Sequence, residues 1–171
     1  DAFTLASQQK AEAAIKAGKF VDEILPLDIK VGREMKRFAQ DEHPRFGITM
    51  ENLAKMKAAF VDGGTVTAAN SSGINDGAGA VVVMSRERAD ALGVKPLLRI
   101  VSQAVAGNDP DIMGFAPAPA TRKAVAKAGL QLSDIDLFEI NEAFASQSVA
   151  VVRDLGISED KVNVNGGAIA L

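Results

Sequence analysis

One short run constrains the fold of this chain more than any other. Ile135-Asp136-Leu137-Phe138-Glu139-Ile140 is followed at once by Asn141-Glu142-Ala143-Phe144. Apolar alternation up to Ile140 is the pattern of a buried strand, and a helical period follows Asn141. A polar amide at the carboxyl end of a strand, opening into a helix, marks the place where open α/β sheets bind their ligands. The chain closes on Asn163-Val164-Asn165-Gly166-Gly167-Ala168-Ile169-Ala170-Leu171, in mid-motif, and contains no cysteine. The combination predicts part of an active site whose nucleophile is missing from these residues.

Composition narrows the function classes. With 171 residues, 47% of them hydrophobic and 24% charged, the chain has the make-up and length of a globular domain with a real core. A net charge of −3 gives no electrostatic footprint for nucleic acid or an anionic membrane. The longest apolar run, Ala78 to Met84, is far short of the roughly 20 residues that span a bilayer. Zero Cys excludes disulfides and Cys-type zinc sites and is compatible with a cytoplasmic setting. No signal peptide opens the chain, and both ends have the look of cuts through ordered structure.

The pattern predicts a helix over 1–17, with Phe3, Ala6, Ala13, Ala14 and Ala17 on one face and Gly18 as its stop. It predicts an edge strand over 23–31 containing Pro26, an irregular charged stretch over 32–48, and a helix over 50–59. Strands are expected at 65–68, 78–85, 97–106, 134–140 and from Val162. The segment 78–85 is apolar on both faces, as a fully covered strand would be. Helices are expected at 86–92, 120–128 and 142–155. Strands alternating with helices indicate α/β layering with a mainly parallel sheet. Residues 1–64 are more helical and looser than the rest.

Several residues carry candidate chemistry. Asn141 has two readings, an amide that stabilises an oxyanion directly or through water, and a helix N-cap. Glu142, next to it, would suit the first turn of a helix. The loop Asn70-Ser71-Ser72-Gly73-Ile74-Asn75-Asp76-Gly77 either approaches a ligand through backbone and serine groups or is a polar turn. Gly77-Ala78-Gly79 lacks the third glycine and the helix of a dinucleotide fingerprint. His43, alone in a charged loop, reads as solvated, and no second His or Cys joins it to bind a transition metal. Gly166-Gly167 either brings backbone amides to a ligand or makes a tight turn.

Four segments taken together resemble the thiolases, the acetyl-CoA C-acetyltransferase family. They are Asp1-Ala2-Phe3 through Ser7-Gln8-Gln9-Lys10-Ala11, Gly64-Thr65-Val66-Thr67-Ala68-Ala69-Asn70-Ser71-Ser72-Gly73-Ile74-Asn75-Asp76-Gly77-Ala78, Asn141-Glu142-Ala143-Phe144-Ala145, and Asn163 through Ala170. Their order and spacing make the match specific along essentially the whole chain. The resemblance implies a partial thiolase-like layered α/β fold, with mixed sheets covered by helices and a looser inserted loop domain. Residues 1–64 would be part of that loop domain, 65–94 the end of the N-terminal half, and 95–171 the start of the C-terminal half.

The family joins two acetyl-CoA molecules or cleaves a 3-ketoacyl-CoA with CoA. A Cys thiolate takes the acyl group, a second Cys moves the α-proton, and a His together with an Asn-held water forms one oxyanion hole. Asn141 matches the water-holding Asn. Ser72 matches the serine lining the pantetheine channel, with Ala68 and Gly73 beside it. Arg45 matches an arginine near the phosphate end of CoA, and Met113, Ala143 and Phe144 match residues around the acyl pocket. Asn52 stands where some relatives carry Ser. The family's two Cys and its catalytic His have no counterpart within these residues. The resemblance further implies CoA or acyl-CoA as substrate with no permanently bound cofactor or metal. Its expected partners are the remainder of a thiolase polypeptide and further copies in a dimer or tetramer. The competing expectation is a non-catalytic CoA-binding or interaction module derived from a thiolase.

Overall fold

An alanine-rich run with Gln, Glu and Lys between the alanines favours helix, and the first element is α1 (Ala2–Lys16). The computed structural model describes all of residues 1–171. The buried stripe of α1 is Thr4, Ser7, Gln8, Ala11 and Ala14, at helical spacing. This corrects the expected face, because Ala13 and Ala17 are exposed. The reason is what α1 lies against. The backbone near 163–169 presents polar groups there, and Gln8 Nε2 donates to the Ile169 carbonyl at 3.1 Å. Buried polar groups of that kind require polar partners, which larger apolar side chains do not supply.

β1 (Leu27–Val31) begins just after Pro26 and pairs antiparallel with β2 (Glu34–Phe38), Leu27 opposite Phe38 and Val31 opposite Glu34. β2 lies in the stretch expected to be irregular. Every residue of both strands is exposed, so no buried face imposes an alternating pattern on Glu-Met-Lys-Arg-Phe. α2 (Met50–Ala54) is half as long as expected and starts with a capping box between Thr49 and Asn52. α3 (Arg86–Leu92) is capped by Ser85 and ends at Gly93 in the left-handed region. α4 (Pro117–Lys127) places Pro117 in its first turn, where its missing N–H is harmless. α5 (Ala145–Leu155) begins three residues later than expected and ends at Gly156.

The core is built around α5. Val151 and Leu155 pack on Ala118 of α4, with Phe115, Leu132 and Ile140 alongside. Val152 packs on Phe138 and Val162, with Ile135 and Ile157 at the margin. Phe138 and Val162 form a parallel bridge in which Phe138 N–H donates to the Lys161 carbonyl at 2.8 Å and Asn163 N–H to the Phe138 carbonyl at 2.9 Å. Thr67 bridges Ala58 in antiparallel fashion.

The segments 78–85 and 97–106 behave differently. No residue of 73–84 or 95–108 makes a backbone–backbone hydrogen bond. Consecutive residues Val81 and Val82 are 87% and 86% exposed, so both faces are open, and Leu97 and Leu98 are open too. These expected strands therefore form no ladder within this chain: 97–106 meets α4 only through side chains, Ser102 Oγ donating to the Ala124 carbonyl at 2.6 Å and Lys127 Nζ to the Gln103 carbonyl at 3.4 Å. Only 23 residues are buried, and most of them lie in α1, α5 and the segments that these helices cover.

Candidate active site

The expected strand over 134–140 is reduced to the single bridge between Phe138 and Val162, and Asn141 stands three residues beyond it. It is exposed, and its side-chain amide makes no hydrogen bond within the chain. Its N-cap reading is corrected here. The residue before α5 is Phe144, and Asn141 lies three positions further back. The amide is therefore free for a ligand or a water.

Asn141 is held through both of its neighbours, Ile140 by its backbone and Glu142 by its side chain. Ile140 N–H donates to Asn163 Oδ1 at 2.8 Å, and Asn163 Nδ2 donates to the Ile140 carbonyl at 2.8 Å. The Asn163 side chain thus extends the single Phe138–Val162 bridge as far as Ile140. Asn163 has φ +46°, in the left-handed region that Asn tolerates better than most residues. On the other side Glu142 is 1% exposed. It is neither in a helix nor at a dipole, contrary to its expected place in a first turn.

The loop after Thr67 is brought to the same junction. Ser71 bridges Phe144, Ser72 N–H donates to the Ala143 carbonyl at 3.0 Å, and Ala145 N–H donates to the Asn70 carbonyl at 2.9 Å. Asn70 holds the loop from within, accepting from Thr67 N–H at 2.8 Å and donating to the Thr65 carbonyl at 2.9 Å. Ser71 Oγ donates to the Thr67 carbonyl at 2.7 Å, whereas the Ser72 hydroxyl has no partner in the chain. Phe144 packs edge-on against Phe60, with ring centroids 6.1 Å apart. Ser72, Ala143 and Phe144 are thus joined next to Asn141, while Gly73 follows Ser72 in the loop and Ala68 is exposed in the turn that Thr67 and Asn70 close.

His43 is not solvated as expected. It is half-buried, with Nε2 3.1 Å from the Ile169 carbonyl. A carbonyl only accepts, so Nε2 carries the hydrogen. The ring lies so close to Gly73 that an added Cβ there would sit 2.8 Å from His43 Cε1. Arg45 is exposed, and its backbone N–H donates to Gln8 Oε1 at 2.9 Å while its guanidinium stays free. Met113 is exposed in the 3₁₀ segment Pro110–Phe115, whose Gly114 abuts Gln147 of α5. Neither Arg45 nor Met113 hydrogen-bonds to the Asn141 group. Asn52, in α2, spends its side chain on the Thr49 cap.

A concavity of about 410 Å³ lies elsewhere, between Phe20, Leu27, Phe38 and Leu171, and none of the site residues lines it. The two carboxyls held below their ordinary range are also elsewhere. Lys16 and then the Gly47 N–H lower Glu12, and Glu87 is lowered by its own backbone N–H and the Ser85 hydroxyl.

With this geometry in view, known proteins decide the family. The family model for the thiolase N-terminal domain matches residues 1–87, and that for the thiolase C-terminal domain matches residues 94–171. The chain belongs to the thiolase family. It is 57% identical to an acetyl-CoA acetyltransferase of Syntrophomonas wolfei over 173 residues, covering 100% of this chain and 43% of that protein. A crystal structure of the Bacillus anthracis acetyl-CoA acetyltransferase superposes with a TM-score of 0.93 at 50% identity, over 100% of this chain and 43% of the other. Human mitochondrial 3-ketoacyl-CoA thiolase in complex with CoA superposes with a TM-score of 0.92 at 48% identity, over 100% of this chain and 42% of the other. The fold is therefore a partial thiolase fold, and the chain spans less than half the length of these thiolases.

Sequence reasoning missed the buried polar partners of Glu142, namely Ser7 and Asn163. Their signal was present in part. Thr4, Ser7 and Gln8 make a polar stripe at helical spacing on an alanine-rich helix, and Asn163 precedes the glycine pair.

Proposed function

We propose that this chain supplies the oxyanion and acyl-pocket elements of an acyltransferase that condenses two acetyl-CoA molecules to acetoacetyl-CoA or cleaves a 3-ketoacyl-CoA with CoA. In the cleavage direction a cysteine thiolate attacks the 3-keto carbon. The bond between the α and β carbons breaks, the α-carbon takes a proton and leaves as acetyl-CoA, and the CoA thiol then collects the acyl group. That cysteine belongs to sequence outside these residues. Asn141 holds a water against the oxyanion that develops at the carbonyl. Ser72, Ala68 and Gly73 flank the pantetheine arm, Arg45 meets the phosphate end, and Met113, Ala143 and Phe144 border the acyl group. CoA or acyl-CoA is the substrate, and no resident cofactor is invoked. The remainder of the thiolase polypeptide completes the site, and the assembled protein is a homo-oligomer. In the same reading, residues 1–64 belong to the loop domain, 65–94 close the first half and 95–171 open the second.

The observation that carries this reading is the free amide of Asn141, unbonded and exposed between two held neighbours, the Ile140 backbone and the Glu142 side chain. In the complete polypeptide, Asn141→Ala is expected to lower kcat by about 10²-fold, the usual loss for one oxyanion contact. Unchanged kcat would remove the assigned role.

A second reading rests on the absence of cysteine, a binding module that takes CoA without chemistry. It requires the 171-residue chain to melt cooperatively alone, with a transition that rises as CoA is added. An aggregated product, or a melt indifferent to CoA, excludes it.

A further inference from the structure

Glu142 is the most deeply buried carboxylate near the proposed site, and no cation accompanies it. Its partners come from three parts of the chain. Oε1 accepts from Asn163 Nδ2 at 2.8 Å. Oε2 accepts from Ser7 Oγ of α1 at 2.7 Å and from Ile169 N–H at 3.1 Å. Ser7 Oγ in turn accepts from Gly167 N–H at 3.2 Å. The fit is close, since a Cβ on Gly167 would lie 2.4 Å from the Glu142 carboxyl carbon.

We propose that Glu142 is a positioning residue for the reaction at Asn141, holding the segment that carries the free amide against α1 and the 163–169 turn. The inference rests on the role given to Asn141 above. Asn163 ties Glu142 to the other neighbour of Asn141, because the same side-chain amide pairs with both backbone groups of Ile140. One network therefore grips the residues on both sides of Asn141 and leaves its own side chain unbonded. A group that must meet a developing charge gains from being held in advance, and misplacement by an ångström is enough to forfeit much of its effect.

The arrangement also explains why a carboxylate stands here. Asn163 cannot turn its amide around, because Oδ1 must accept from Ile140 N–H, so it presents a donor to Oε1. Ile169 presents a backbone donor to Oε2. Both oxygens face obligate donors, and a glutamine in either orientation would set an NH₂ against an N–H. Glu142→Gln thus keeps the shape of the side chain and breaks the clamp.

The test is a double-mutant cycle in the complete polypeptide, following loss of acetoacetyl-CoA with CoA as second substrate. Asn141→Ala is expected to lower kcat by about 10²-fold. Glu142→Gln is expected to lower kcat by about tenfold or more, with KM for CoA within about twofold of wild type. The double variant should be no slower than Asn141→Ala alone, since Glu142 acts through Asn141. Losses that multiply, or wild-type kcat in Glu142→Gln beside an impaired Asn141→Ala, overturn the positioning role. Wild-type kcat in Asn141→Ala instead overturns the reading of the site, and this inference with it. Should Glu142→Gln fail to fold, Ser7→Ala removes one of the three donors. It is expected to lower kcat to a smaller degree in the wild-type background and not at all in the Asn141→Ala background. Wild-type kcat in folded Ser7→Ala overturns the proposal.

Discussion

Residues 135–140 and residues 78–85 carry the same kind of apolar strand signal, yet they end in opposite states. The first lies under Val152, bridges Val162, and is prolonged by the Asn163 side chain. In the second, residues 78–84 make no backbone–backbone hydrogen bond, and Val81, Val82 and Val83 are exposed. Apolar periodicity states that a segment belongs in a sheet, but not which segment lies beside it. That second fact depends on the partner, and the cross-linked half of this molecule has its partners within reach. The difference also separates two uses of polarity. Around Glu142 polar groups are buried and paired. Along 73–84 and 95–108 the backbone makes no ladder, as on an unprotected sheet edge.

Asn163→Ala would break the contrast most severely. It strips the hydrogen-bond partner from Ile140 N–H, the Ile140 carbonyl and Glu142 Oε1 at once, and each buried group left unpaired costs about 1–3 kcal/mol. Alanine also fits φ +46° worse than asparagine does. Denaturant unfolding of the complete polypeptide should show a loss of about 3 kcal/mol or more. A loss under about 1 kcal/mol would mean that the clamp around Asn141 is not a strong element.

Gly73→Ala tests the seam between the two regions. The new Cβ would press on His43, which must leave the Ile169 carbonyl or shift the loop. Overpacking of this kind costs about 1 kcal/mol or somewhat more. His43→Ala should relieve it, so the double variant is expected to be closer to His43→Ala than additivity allows. Strict additivity in thermal melts would show that the two residues do not press on each other.

The order of helices and the place of the site were legible in the sequence for particular physical reasons. Gly93 and Gly156 stop α3 and α5 where expected, because the left-handed terminus needs a residue without a Cβ. Asn141 was legible as a polar residue closing an apolar run, although that run makes one bridge in place of the expected strand. The start of α5 was not, because Phe144 takes the N-cap position without a side-chain cap and the preceding residues bond to 70–72 instead. β2 was hidden by its charges. The inward face of α1 was missed because the expected face followed Phe3 and the alanines, whereas Glu142 and Ile169 draw Ser7 and Gln8 inward. Long-range polar pairing of this kind, Ser7 with Glu142 across 135 positions, leaves no periodic trace.

A smaller effect is expected where the chain is open. Val82→Asp in the isolated chain should change stability by less than about 0.5 kcal/mol, because the side chain touches solvent on a face that nothing covers. In the complete polypeptide the same change should be far more damaging wherever a strand covers that face, because it would bury an unpaired charge. Equal, small effects in both settings would mean that 78–85 stays open in the assembled protein. Unfolding midpoints in the two settings, side by side, give the answer.

The smallest effect lies on the outer side of α1. Glu12 accepts from Lys16 and from the Gly47 N–H, and these partners hold its carboxyl below the ordinary range. Its folded pKa is thus lower than its unfolded one, about 4.3. The stabilisation this gives is present above the unfolded pKa and is lost as pH falls through the folded pKa. Glu12→Gln should therefore melt slightly below wild type at pH 7, with the gap closing as pH drops below about 4. The pair is exposed to solvent and salt, so the gap at neutral pH should also shrink as ionic strength rises. A gap that persists unchanged at acid pH would mean that Glu12 acts through packing of its stem and not through its charge. The loop at Gly47 would then be held to α1 mainly by the Gln8–Arg45 contact.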